Sequence, residues 1–171
     1  LYEKGYITYM RTDSINLSNE AINKISKYIM SNYGKENLKV TKYKSKGSNT
    51  QNAHEAIRPT DIIRTNLKDK VNCTNDESKL YNLIWKRTVA SQMAPAKVNV
   101  INLDIDISKT DKVKFISELE ELIFYGYLKL YKDNTNNTDK QTIKIPKKNT
   151  LLNPTSITAN ESYKKPPVRF N

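Results

Sequence analysis

The apolar residues of this chain change period at Pro95. Before it they recur at helical spacing. Ala21, Ile22, Ile25, Ile29 and Tyr33 make one stripe; Leu80, Tyr81, Ile84, Trp85 and Thr88 make another, which Leu83 widens. After it they alternate, with Ile101, Leu103, Ile105 and Ile107 separated by Asn102, Asp104 and Asp106. A helical stripe buries one side of a cylinder, whereas an alternating segment buries one face of a sheet. The pattern therefore predicts an α+β chain with a mainly helical domain over 1–95 and a β-rich domain over 96–171.

Local signals give the elements. Ser18 as N-cap, Glu20 in the first turn and Gly34 as terminator predict a helix over 18–33. Thr74 and Glu77 form a capping box for a second helix over 75–93. Strands are expected from Lys97, around Val113 and Phe115, at Leu128 and Leu130, and over 142–145. Residues 6–10 read as extended, with Ile7, Tyr9 and Arg11 on one side and Thr8, Met10 and Thr12 on the other. Residues 35–52, with Lys35, Lys39, Lys42, Lys44 and Lys46, read as a mobile basic loop. Pro59 keeps Arg58 out of a helix. A loop is expected over 133–139 and an extended tail over 164–170.

Charge narrows the partner. Among 171 residues, 29 Lys and Arg face 18 Asp and Glu, a net charge of +11. Such an excess favours an anionic partner, of which nucleic acid is the commonest, although it also serves solubility. A single cysteine, Cys73, and a single histidine, His54, exclude an intramolecular disulfide and a Cys/His zinc cage. Four glycines leave no phosphate-binding Gly-rich loop. No run of about 18 apolar residues suggests a membrane span. The chain starts at Leu1, which points to a piece of a longer protein.

Three groups could carry chemistry. Tyr9 and Arg11 place a phenol and a guanidinium two residues apart on one side of an extended segment. A phenol can attack a phosphodiester, but it ordinarily ionises near pH ~10, so the developing charge needs a partner such as a guanidinium fork. With eleven tyrosines in the chain, a packing role for any one of them is the commoner outcome. His54, Glu55 and Arg58 follow the basic loop and read as an anion site, or as a histidine satisfying a structural hydrogen bond. Asp104 and Asp106 have the spacing of a metal pair. The alternation around them reads better as the wet face of a half-buried strand, and Glu118, Glu120 and Glu121 as a solvated cluster.

Taken together, the motifs resemble the type IA DNA topoisomerases. The carrying residues are LYEKGYITYMRTDS at 1–14, AHEAIRPT at 53–60, LYNLIW at 80–85, ASQMAPA at 90–96 and KPPVRF at 165–170. The resemblance implies a multidomain α+β fold, with a CAP-like tyrosine-bearing domain over 1–95 and part of the β-rich arch over 96–171. It implies that Tyr9 is the nucleophile and that Arg11 steadies the scissile phosphate. His54 and Arg58 would bind a nearby phosphate or support its pocket, with Thr8 and Asp13 behind them and Lys44 and Lys46 on the DNA. It further implies single-stranded or negatively supercoiled DNA as substrate and a 5′-phosphotyrosine intermediate without ATP. Mg²⁺ would be bound by a Toprim domain of the same enzyme and not by this chain. A monomer in the cytoplasm, associated with the nucleoid, is expected, and the chain alone should be inactive. The rival reading is a non-catalytic single-stranded DNA-binding module built on the basic loop and the aromatics.

Overall fold

Two capped helices begin where the sequence signals place them. The computed structural model describes residues 1–12, 14–43, 54–68, 72–131, 145–156 and 158–164. Ser18 Oγ accepts from the Ala21 N–H at 3.2 Å and opens α1 (Asn19–Tyr33). At α2 (Asn75–Ala90) the capping box is complete. Thr74 Oγ1 accepts from the Glu77 N–H at 3.2 Å, and Glu77 accepts from the Thr74 N–H at 2.7 Å. The Glu77 carboxylate also meets Lys4 Nζ at 2.6 Å. Lys4, seconded by the Thr74 N–H, holds the Glu77 carboxyl down to about 2. Lys4 donates as well to the Asn72 carbonyl, so the N-terminal turn is tied to the start of α2.

Helix α2 stops at Ala90, short of the expected Met93, because the next residues pair with another segment. Leu38 and Met93 form an isolated antiparallel bridge. The Lys39 N–H donates to the Gln92 carbonyl at 2.9 Å, and the Ala94 N–H donates to the Asn37 carbonyl at 2.8 Å. Gln92 is fully buried, and its side-chain amide both donates to the Thr41 carbonyl and accepts from the Thr41 N–H, each at 3.0 Å. Residues 38–43, expected in a mobile loop, are thus pinned to the chain beyond α2. The rest of that expected loop, from residue 44, lies outside the described residues up to His54.

The core lies between the helices. Ile25 and Ile29 of α1 join Tyr81, Trp85 and Val89 of α2, with Ile7, Leu67, Met93 and Leu130 completing the buried cluster. The Tyr28 ring stands edge-on to Trp85, with centroids 5.6 Å apart. Buried Tyr and Trp need partners for their polar tips. The Tyr81 hydroxyl donates to the Arg64 carbonyl at 2.8 Å, and Trp85 Nε1–H donates to the Ile62 carbonyl at 2.9 Å. Burial pushes the Tyr81 phenol up to about 12 against the opposing charge of Arg64. Leu80 and Leu83, expected on the buried face, are instead half-exposed. The covered stripe is narrower, running through Tyr81, Trp85, Thr88 and Val89, because residues 61–67 cover only that side.

After Pro95 the chain forms an antiparallel ribbon of β1 (Lys97–Ile107) and β2 (Thr110–Phe124). Ile101, Leu103 and Ile105 stand opposite Leu119, Ser117 and Phe115, making one apolar face. Asp104 and Asp106 lie on the other face, and Asp104 pairs with Lys114 at 3.0 Å. Glu118, Glu120 and Glu121 are exposed within β2.

The strand expected at Leu128 and Leu130 is a 3₁₀ helix, Gly126–Leu130. Gly126 has φ +51°, and a Cβ there would sit 2.3 Å from the Ala94 carbonyl oxygen. This close approach lets the Tyr127 N–H donate to Ala94 at 2.9 Å and folds Leu130 into the core. Most of the strand expected over 142–145, the loop over 133–139 and the tail over 164–170 lie outside the described residues.

The chain separates into two compact units, Leu1–Asn137 and Thr138–Asn171. The first carries both helices and the ribbon. In the second, the described residues form neither helix nor strand; Thr150 closes a turn by donating from its N–H and its hydroxyl to the Lys147 carbonyl.

Gly126→Ala combines a positive φ with a backbone collision. It is expected to cost about 2–4 kcal/mol of stability, read as a lower urea midpoint at unchanged slope.

Candidate active site around Tyr9

The site is assembled by two short extended segments, 5–8 and 56–60. The Thr8 N–H donates to the Arg58 carbonyl at 2.9 Å, and the Thr60 N–H donates to the Tyr6 carbonyl at 3.1 Å. Between these bonds Ile7 bridges Pro59 in antiparallel sense, and both side chains are buried. Thr8 adds its hydroxyl, which donates to the Ala56 carbonyl at 2.8 Å and accepts from the Arg58 N–H at 2.9 Å. In an antiparallel pair, residues after Thr8 come alongside residues before Arg58. That course brings Tyr9 beside His54.

Three of the expected site residues meet here. The rings of Tyr9 and His54 are 4.8 Å apart, centre to centre, tilted at 44°. The Arg11 guanidinium carbon lies 5.7 Å from the Tyr9 ring centre. Tyr9 and His54 are partly covered, whereas Arg11 is exposed. Tyr2, to which the sequence reading gave no role, packs edge-on against Tyr9 at 5.3 Å. Its signal lay in the turn that Gly5 closes by donating its N–H to the Tyr2 carbonyl.

Thr8 and Arg58 are committed to structure. The Arg58 guanidinium donates Nε–H to Glu55 Oε1 at 2.8 Å and Nη2–H to Oε2 at 2.9 Å, a two-point fork, and Nη1–H to the Pro59 carbonyl. Glu55, grouped with His54 and Arg58 in the sequence as a candidate anion site, instead supplies the carboxylate that neutralises Arg58. Besides Arg58, it accepts the Ser18 N–H at 2.7 Å, fixing the segment to the start of α1. Its signal was the three-residue spacing to Arg58. Asp13, Lys44 and Lys46 lie outside the described residues.

The described residues do not fit a Mg²⁺ site. Among them, no three His, Cys, Asp or Glu side chains come together to hold a metal, and Asp104 is engaged by Lys114.

With this geometry in place, a family model described as DNA topoisomerase matches residues 1–171. The chain belongs to the DNA topoisomerase family. It is 41% identical over 184 residues to a prokaryotic-type DNA topoisomerase 1 of Acanthamoeba polyphaga mimivirus, covering 100% of this chain and 21% of that protein. It is 39% identical over 175 residues to DNA topoisomerase 1 of Escherichia coli, covering 100% of this chain and 19% of the relative. Full-length topoisomerase I from Thermotoga maritima matches its fold with a TM-score of 0.61 at 35% identity, over 77% of this chain and 20% of that one. The chain spans about a fifth of the length of the curated relatives it matches. No described helix is long and apolar enough to cross a membrane.

Burial pushes the Glu55 carboxyl up, but hydrogen bonds from Arg58 and Ser18, with the Arg58 charge, outweigh it and hold the group below its ordinary 4.5. A lowered folded-state pKa contributes stability that is complete above the unfolded value and lost as pH falls through the folded one. Glu55→Gln is therefore expected to cost about 1–2 kcal/mol at pH ~7, allowing for partial exposure, and progressively less as pH falls below the ordinary carboxylate range. Urea unfolding of both proteins across this range checks it; a deficit independent of pH would contradict the assignment.

Proposed function

We propose that the chain is the tyrosine-bearing part of a type IA topoisomerase, with the CAP-like domain over 1–95 and part of the arch over 96–171. The observation that carries this reading is the contact of Tyr9 with both His54 and Arg11. Tyr9 Oη attacks a phosphorus of single-stranded DNA. As the Oη–P bond forms, the bond from phosphorus to the 3′ oxygen breaks. The DNA 5′-phosphate is left on Tyr9, and the released 3′ oxygen ends protonated. After the other strand has passed, the 3′-hydroxyl attacks phosphorus and returns Tyr9 to its phenol. One phosphoester replaces another, so the exchange needs no ATP.

Arg11 offers the guanidinium fork for the non-bridging oxygens as charge grows on them. His54 takes the neighbouring phosphate. Arg58, neutralised by Glu55, holds the His54 segment in place, and Thr8 does the same from the other side. Asp13 is assigned to supporting the phosphate site from behind, and Lys44 and Lys46 to the DNA. Mg²⁺ and the acids that hold it belong to a Toprim domain of the same enzyme. The enzyme relaxes negatively supercoiled DNA as a monomer in the cytoplasm, at the nucleoid. Alone, the chain binds single strands weakly and does not cleave them.

A chimera tests this reading, with the chain replacing the matching segment of the Escherichia coli relative. The chimera is expected to relax a negatively supercoiled plasmid and, on denaturation, to stay attached to DNA 5′ ends. Tyr9→Phe should abolish both signals, and Arg11→Ala should lower relaxation by about 100-fold or more. Covalent attachment that survives Tyr9→Phe, or a folded chimera without attachment, overturns the assignment.

A further inference from the structure

A second basic and aromatic surface lies at the far end of α2 and shares no residue with the Tyr9 cluster. Lys39, Tyr43, Arg87, Ser91, Tyr127 and Tyr131 line an open cleft of about 480 Å³. Its walls are fixed in advance. On one side the buried Gln92 amide clamps Thr41, and the Tyr43 hydroxyl donates to the Ser91 carbonyl at 3.2 Å. On the other side Gly126 seats the 3₁₀ helix against Ala94. A cleft that needs no ordering on binding spends less of its interaction energy on entropy.

The lining suits one ligand chemistry. Tyr43, Tyr127 and Tyr131 are each about two-fifths exposed. Tyr127 and Tyr131 meet edge to face at 6.3 Å, and Lys86 Nζ lies 5.8 Å from the Tyr131 ring centre. Lys39 and Arg87 form no ion pair with a described residue, and no described carboxylate lines the cleft. The Ser91 carbonyl, which would oppose an anion, is already occupied by the Tyr43 hydroxyl. Exposed phenol rings beside unpaired cations are what stacked bases and their phosphates require. An acidic peptide would use the cations but leave the rings uncovered.

We propose that this cleft binds a short stretch of single-stranded nucleic acid. Bases stack on Tyr43, Tyr127 and Tyr131, and phosphates meet Lys39 and Arg87. This site is additional to the strand-cleavage reading and does not depend on it.

The test uses the whole chain and an oligothymidylate of twelve nucleotides carrying 5-iodouracil. Ultraviolet crosslinking followed by peptide mass spectrometry is expected to place the adduct on Tyr43, Tyr127 or Tyr131. In fluorescence anisotropy, the double variant Tyr127→Leu with Tyr131→Leu should bind this oligonucleotide about ten-fold more weakly. The surface variant Lys39→Gln with Arg87→Gln, which disturbs no described hydrogen bond of those side chains, should flatten the salt dependence by about 0.7 units of slope per charge. Circular dichroism confirms that each variant is folded. Adducts that map only elsewhere, folded variants that bind as the parent does, or an oligonucleotide that does not bind overturn the proposal. Capture of an acidic peptide with equal affinity, and with no dependence on the tyrosines, overturns it in favour of a protein partner.

Discussion

The exchange between Thr8 and the backbone of residues 56–58 is the constraint on which the site depends. One hydroxyl both donates to the Ala56 carbonyl and accepts the Arg58 N–H, while the Thr8 N–H donates to the Arg58 carbonyl. Such a two-way bond fixes register as well as proximity, since a slip by one residue would break every one of these contacts. Tyr9 follows Thr8 directly, so its approach to His54 is set by this register. Ile7 and Pro59 bury the same junction from within. Glu55 then carries the arrangement outward, by holding both Arg58 and the start of α1.

Charge is distributed more finely than the net excess suggests. Arg58, which looks in the sequence like a phosphate ligand, is answered by Glu55; Lys4 is answered by Glu77, and Lys114 by Asp104. The guanidinium groups of Arg11, beside Tyr9, and of Arg87, and the ammonium of Lys39, form no ion pair with a described carboxylate. A surface cation that is already paired offers an anion little, because the pair must be broken first.

Local signals were readable wherever a short stretch of chain settled the outcome. Both caps, the helix starts and the alternation of β1 are decided within a few residues, and the structure agrees with them. The departures occur where a distant segment intervenes. Helix α2 ends early because residues 92–94 bond to residues 37–39. Leu128 and Leu130 fit a strand by spacing, yet Tyr127 and Tyr131, four apart, fit a helical turn, and the contact of Gly126 with Ala94 decides for the turn. The exposure of Leu80 depends on which side residues 61–67 cover.

The sequence by itself determined both helix starts, the first strand, the basic character and the presence of a tyrosine and an arginine on one side of an extended segment. It also placed His54 in a motif, without saying what that ring would touch. Only the tertiary structure decided that His54 lies against Tyr9, that Arg58 is spent on Glu55, and that three tyrosines and two cations share a cleft. The reason is the range of the forces. Caps and alternation arise from bonds and faces among near neighbours, which periodicity records. A ring contact between residues 9 and 54, or a cleft joining residues 39, 87 and 131, depends on long-range pairing that no local pattern encodes.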